Sequence, residues 1–270
     1  MTQVVLWGLL LIVLVGLGAT VMVFLARKVM PTAERKEGEV EAIGFVFAVV
    51  GVLYAIVLAF VVIDVWTKMT ATEENVYREA SALVEEYRYA QNLPDPQRQE
   101  IQLLAREYAN HVVNSEWPQM RKHNRVGLEG YALLDKLRSA VERSRPPVVG
   151  TAGDSLAEAA AQDAYAYAVS QGDLIAQSRE TRLAAASAGV PSVLWFVLLG
   201  GGLMMVGFAY VFDIAGVATQ IVLAIGLTVM TVLLLWSIYE MEYPFARQLR
   251  IDPDAFNFAM MRFIQISTGG

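Results

Sequence analysis

Four long apolar runs, almost free of charge, constrain this chain more than any other feature. A bilayer core of about 30 Å takes about 20 apolar residues in helix. Val4–Ala26 carries no charge until Arg27, Ala42–Trp66 holds only Asp64, and Ser192–Phe212 and Val217–Tyr239 hold none. Within lipid every backbone polar group must be satisfied inside its own segment, which selects helix. The predicted fold class is therefore an all-α integral membrane protein with four transmembrane helices and a helical extramembrane domain between the second and third. The expected organisation is residues 1–66 for the first two spans, 67–190 for the domain, 191–240 for the last two spans and 241–270 for a tail with a short helix. The first run is preceded by no Lys or Arg and is longer than the apolar stretch of about 7–15 residues in a signal peptide, so it reads as a retained anchor. Pro191 falls near the first turn of the third span, where a missing N–H costs little. Asp213–Gly216 is a very short hairpin, which makes the last two spans antiparallel neighbours.

Composition narrows the function. Hydrophobic residues make up 56% of the chain, against about 45–50% in soluble domains. The absence of cysteine excludes disulfides, thiolate zinc sites and cysteine nucleophiles. A net charge of −6 repels phosphate backbones and argues against a nucleic-acid partner. Membrane lipid is the expected surrounding. Arg27, Lys28, Arg35 and Lys36 follow the first span, and the positive-inside rule then places the large domain outside the cell membrane. Lys68, Arg78, Arg179, Arg182, Arg247 and Arg250 lie on the opposite side and pull the other way.

The domain reads as helices. Met69, Val76, Leu83 and Ala90 recur every seven residues, with Ala80 and Tyr87 between them, so the second span is expected to continue out of the bilayer as one rod. Leu93-Pro94-Asp95-Pro96 breaks it, with Asp95 placed as an N-cap. A second helix follows on the stripe Ile101, Leu104, Ala105, Tyr108 and Val112 to about Glu116, where Pro118 bends or ends it. Arg121–Arg125 is a basic loop, Leu128–Arg143 a third helix, and Asp154 caps a long alanine-rich helix leading to Pro191.

Chemistry-bearing residues are few. Asp64 is the one charge within a span. It is either an interfacial carboxylate or part of a ring at a pore mouth, where it would favour cations. The second span has two faces. Gly44, Ala48, Gly51, Ala55 and Ala59 form a small-residue stripe suited to close helix packing. Val46, Val50, Leu53, Val57, Phe60 and Asp64 lie opposite, facing lipid or lining a narrow apolar pore. Tyr54, Thr228, Thr231 and Ser237 are explained by hydrogen bonds between helices or back to their own helix. Gly200-Gly201-Gly202 favours close packing over a bend. His111 and His123 make no metal motif. No phosphate loop or nucleophile motif is present, and the adjacent pairs Glu73-Glu74 and Glu85-Glu86 point about 100° apart on a helix. No enzymatic activity, metal or cofactor is expected.

Several segments together resemble the bacterial bestrophin-like family, a domain of unknown function. They are Gly44–Ala55 at the start of the second span, Glu79-Ala80-Ser81-Ala82-Leu83, Glu116-Trp117-Pro118, Arg182–Ala186 leading into Pro191–Trp195, and Pro244-Phe245 before Asp252-Pro253. The resemblance covers nearly the whole chain. Bestrophins are oligomeric anion channels whose second membrane helix lines the pore and narrows it with apolar and aromatic side chains. The resemblance thus implies a multi-pass, homo-oligomeric protein of the bacterial inner membrane that conducts ions, with Val50, Leu53, Val57 and Phe60 as the matching kind of residue. The other reading is a non-conducting sensor or scaffold that acts through its helical domain.

Overall fold

The computed structural model describes residues 2–29, 37–122, 126–147, 155–211 and 217–269. The basic loop after the first span, His123, Asp154 and the Asp213–Gly216 hairpin lie at least partly outside them. Among the described residues the chain is helical with no strand. Its helices are α1 (Thr2–Val29), α2 (Glu37–Ala90), α3 (Gln97–His111), α4 (Trp117–Arg121), α5 (Glu129–Arg143), α6 (Ser155–Ser187), α7 (Ser192–Val211), α8 (Val217–Met241) and α9 (Asp254–Ser267). One π-helical turn, Val112–Glu116, joins α3 to α4. Two compact units result. One comprises Met1–Lys68 with Gly189–Glu242, the other Met69–Ala188 with Tyr243–Gly270.

By length and composition, two described helical stretches can cross a membrane, Gly44–Ala90 and Val217–Met241. A third is a pair bent by 43°, Leu156–Ser187 with Ser192–Phe208. Val13–Leu25 is a shorter apolar stretch within α1.

In the first unit, α1 packs along α8, and α7 packs on both. The face of α2 turned inward carries Tyr54, Leu58, Val61 and Val65. Tyr54 sets this packing. Its hydroxyl donates to the Leu198 carbonyl at 3.0 Å, and its ring lies against Gly201 and Gly202 of α7. A Cβ at Gly201 would overlap the Tyr54 ring, so the glycine triplet permits close approach, as expected from the sequence. Thr228, Thr231 and Ser237 each donate to a carbonyl four residues earlier, at 2.6, 2.8 and 2.8 Å. The Glu242 carboxylate accepts from the Val190 N–H at 3.1 Å and from the Trp195 indole at 3.0 Å, which secures the start of α7.

In the second unit the expected stripes form the core. Val76, Ala80, Leu83, Tyr87 and Ala90 of α2 are buried, as are Ile101, Leu104, Ala105, Tyr108 and Val112. Asp95 does not cap α3. It pairs with Arg98 at 2.6 Å, and Pro96 occupies the cap position without a side-chain bond. The helix runs on past Glu116 through the π turn into α4, of which Pro118 is the second residue, so the proline does not end it. The tail belongs to this core: Phe256 and Phe263 of α9 are buried, and Phe263 stacks on Tyr87 at 4.4 Å.

Gly201→Ala should destabilise the detergent-solubilised protein by about 1–3 kcal/mol through overpacking, read as a lowered thermal midpoint. Gly200→Ala meets nothing within 4 Å and should leave the midpoint unchanged or slightly higher, since alanine is the better helix former.

Candidate functional site

The pore-helix residues read from the sequence lie on two exposed faces of α2. Val46, Leu53, Phe60 and Asp64 are exposed on the single chain, and Val50 and Val57 are half-buried. Phe60 retains 68% of its surface. Asp64 is paired with Lys68 one turn on, at 2.7 Å, with both side chains about half exposed. In the small-residue stripe, Ala48, Ala55 and Ala59 are exposed, and Gly44 and Gly51 are half-buried. Gly51 lies beside Met205, whose Cε would be 3.0 Å from an added Cβ. The face buried within the chain lies between these two stripes, about 100° round the helix from the first. The Tyr54–Leu198 bond therefore leaves both stripes largely uncovered by the chain itself.

The second unit holds a site that periodicity alone does not mark, a fully buried network of two carboxylates and two guanidiniums. Glu79 on α2 sits three residues after Val76 and four before Leu83, so it shares their core face. Arg179 and Arg182 are three apart on one face of α6. The π turn adds a residue to the helix between α3 and α4 and turns Glu116 inward; such turns recur at functional sites. All four residues have zero exposure. Arg182 grips Glu79 with two bonds, Nε to Oε2 at 2.7 Å and Nη2 to Oε1 at 3.0 Å, and gives a third to Glu116 Oε2 at 2.9 Å. Arg179 Nη1 donates to Glu116 Oε1. The Tyr108 hydroxyl donates to Glu79 Oε1 at 2.6 Å.

Aromatic faces complete the enclosure. Arg182 lies over Trp117 at 5.5 Å and Phe256 at 5.8 Å, and Arg179 over Tyr131 at 4.5 Å, within cation–π range. The Trp117 indole donates to the Ile251 carbonyl at 3.2 Å. Gly130 permits the approach of α5: an added Cβ would overlap the Glu116 carboxylate and the Arg179 guanidinium. Asn75 ties α2 to α6 beside the network, donating to the Ser178 carbonyl at 2.7 Å. His111 Nε2 stands 3.6 Å from Glu116.

The electrostatics are self-balancing. Burial opposes charge on Arg182, but the Glu79 carboxylate and its bonds hold the guanidinium firmly protonated. Burial would raise Glu116, yet Arg182 and Arg179 outweigh it and hold that carboxyl below its usual range. Burial, followed by the neighbouring Glu79 charge, pushes the Tyr108 phenol well up, so it remains a donor. The network is formally neutral, two carboxylates against two guanidiniums, with Arg179 Nε and Nη2 left without hydrogen-bond partners, and it holds no group of three metal-ligating side chains among the described residues. Its signals in the sequence are a glutamate at a core position of an apolar stripe and two arginines at helical spacing in an alanine-rich helix.

A family model described as the Bestrophin-like domain matches residues 11–256. No curated protein sequence matches the chain. Among solved structures the chain is similar to a bacterial bestrophin homolog from Klebsiella pneumoniae in two singly substituted forms. The first has a TM-score of 0.69 at 14% identity, covering 95% of this chain and 98% of that one. The second has a TM-score of 0.65 at 13% identity, covering 97% and 98%. A crystal structure described as a membrane protein aligns at a TM-score of 0.62 and 13% identity over 99% of both chains. At these identities the likeness concerns the fold.

Arg182→Leu leaves Glu79 buried without its cation and should destabilise the protein by about 3–5 kcal/mol. Arg121→Ala removes an exposed partner of Asp252 and should cost no more than about 1 kcal/mol. Because the Glu116 carboxyl is held low in the fold, its contribution is present above the ordinary carboxylate range and lost as pH falls through its folded value. Acid unfolding of Glu116→Gln, followed by circular dichroism, should show a shallower pH dependence than that of the parent.

Proposed function

The chain belongs to the Bestrophin-like family, and from that premise we propose that it is a homo-oligomeric ion channel of the bacterial inner membrane, with α2 lining the pore. In this reading α1, the first part of α2, α7 and α8 are the four spans, and the second unit is the extramembrane domain. One observation carries the proposal: the Val46–Leu53–Phe60 face of α2 is exposed on a single chain while an adjacent face is fixed against α7 by Tyr54. Copies arranged round an axis would turn that apolar stripe inward. Phe60 would narrow the path, and a ring of Asp64 at its mouth would favour cations, tempered by the Lys68 paired to each carboxylate. The small-residue stripe Gly44, Ala48, Gly51, Ala55 and Ala59 suits close approach of a neighbouring helix.

A second reading rests on another observation. Helix α2 is unbroken from Glu37 to Ala90, as a non-conducting sensor acting through its domain would also need. The charge of the loop after α1 favours an external domain, and the bestrophin arrangement favours a cytoplasmic one; a reporter fused to the C-terminus separates the two.

The purified protein, reconstituted in planar bilayers as an oligomer, should carry current. Phe60→Ala should raise conductance, and Asp64→Lys should move the reversal potential towards anion preference. Intact oligomers that leave the bilayer silent would overturn the channel reading, and a monomer in detergent would favour the sensor.

A further inference from the structure

Glu85 and Glu86 are adjacent on α2 but meet opposite fates. Glu85 is half-exposed and pairs with Arg88 at 3.1 Å, whereas Glu86 is 1% exposed. The Glu86 carboxyl lies against α6 at Gly172, where an added Cβ would be 3.2 Å from Oε1. Its other oxygen, Oε2, is buried with no hydrogen-bond partner. The cation facing it is Arg138 of α5, whose Cγ lies 3.7 Å from the same point over Gly172. Arg138, however, gives Nη2 to Asp173, the next residue on α6, in an exposed pair. Two phenols stand nearby. Tyr89 of α2 has its hydroxyl bonded to Ser144 at 2.9 Å, and Tyr165 of α6 lies beside it. A carboxylate here would be desolvated, with one bare oxygen and its nearest cation engaged elsewhere. A carboxylic acid fits better, and burial pushes the Glu86 carboxyl up to about 8 against the pull of Arg138.

We propose that Glu86 is a proton-controlled latch of the domain: it packs as an uncharged acid against Gly172, and on losing its proton to solvent it draws the Arg138 guanidinium off Asp173. Gly172 and Asp173 are consecutive on α6, and the Arg138 stem and the Glu86 carboxyl both border Gly172, so the two acids compete for one half-exposed side chain. One proton thereby resets the tie between α5 and α6 and creates a new one between α5 and α2. The fold holds this proton to higher pH than the unfolded chain does. The contribution of Glu86 to stability is therefore full below the ordinary carboxylate range and is lost as pH rises through about 8.

The test is an alkaline titration of the full-length protein in detergent micelles, followed by infrared difference spectroscopy of the uncharged carboxyl C=O stretch. A band should disappear with a midpoint near pH 8 and be absent from Glu86→Gln. Arg138→Gln removes the facing cation and should raise the midpoint by about one unit, while Asp173→Asn releases Arg138 to Glu86 and should lower it. Both substitutions are at side chains with substantial exposure, so they decide the matter even if Glu86→Gln fails to fold. A band that Glu86→Gln leaves in place, or a midpoint that neither Arg138→Gln nor Asp173→Asn moves, would overturn the latch.

Discussion

The fork of Arg182 on Glu79 is the constraint on which the domain depends. It joins α6 to α2 at the centre of the core, and through Glu116 it also holds the π turn that ends α3. Replacing such a network with apolar side chains can be neutral or stabilising, so strength alone does not explain it. Its effect is selective. If α2 and α6 slide by a turn, the buried Glu79 and Arg182 lose their partners at once. Trp117, Tyr108 and Phe256 then pack around a fixed point.

The first unit, which carries the apolar helices, solves its registration differently. Within lipid the hydrophobic effect does not distinguish one face of a helix from another, and association rests on close packing and hydrogen bonds. Here the discriminating elements are one phenol and two glycines. Tyr54 finds a carbonyl on α7 and fits its ring into the space that Gly201 and Gly202 leave. At the end of α8, Glu242 serves both a backbone N–H and an indole at the start of α7.

Much of this architecture was legible in the sequence because it depends on length and period. The heptad-spaced stripe from Val76 to Ala90 and the stripe of α3 both bury the residues that periodicity names. The inward face of α2 within the first unit was not legible, since every face there is apolar and only the hollow at Gly201 selects Tyr54. The charge network was hidden for a different reason. Glu79, Glu116, Arg179 and Arg182 are ordinary surface residue types, and their pairings span as many as 103 positions. Glu85-Glu86 could be read as two side chains pointing apart, but which of them is buried depends on α5 and α6. The extra residue of the π turn left no mark in the apolar period, although it aims Glu116 inward.

The placement of the tail bears on how the chain is made. Trp117 is translated before α7 and α8, yet its indole bonds to Ile251 and its ring is flanked by Phe245 and Phe256, all translated after them. Tyr87 likewise waits for Phe263 and Ser267. A ribosome that has finished α6 has released a domain with an aromatic hole in it. The core closes only when the segment after α8 is present, so a chain truncated after α8 would leave Trp117 and Tyr87 without the aromatic rings that cover them.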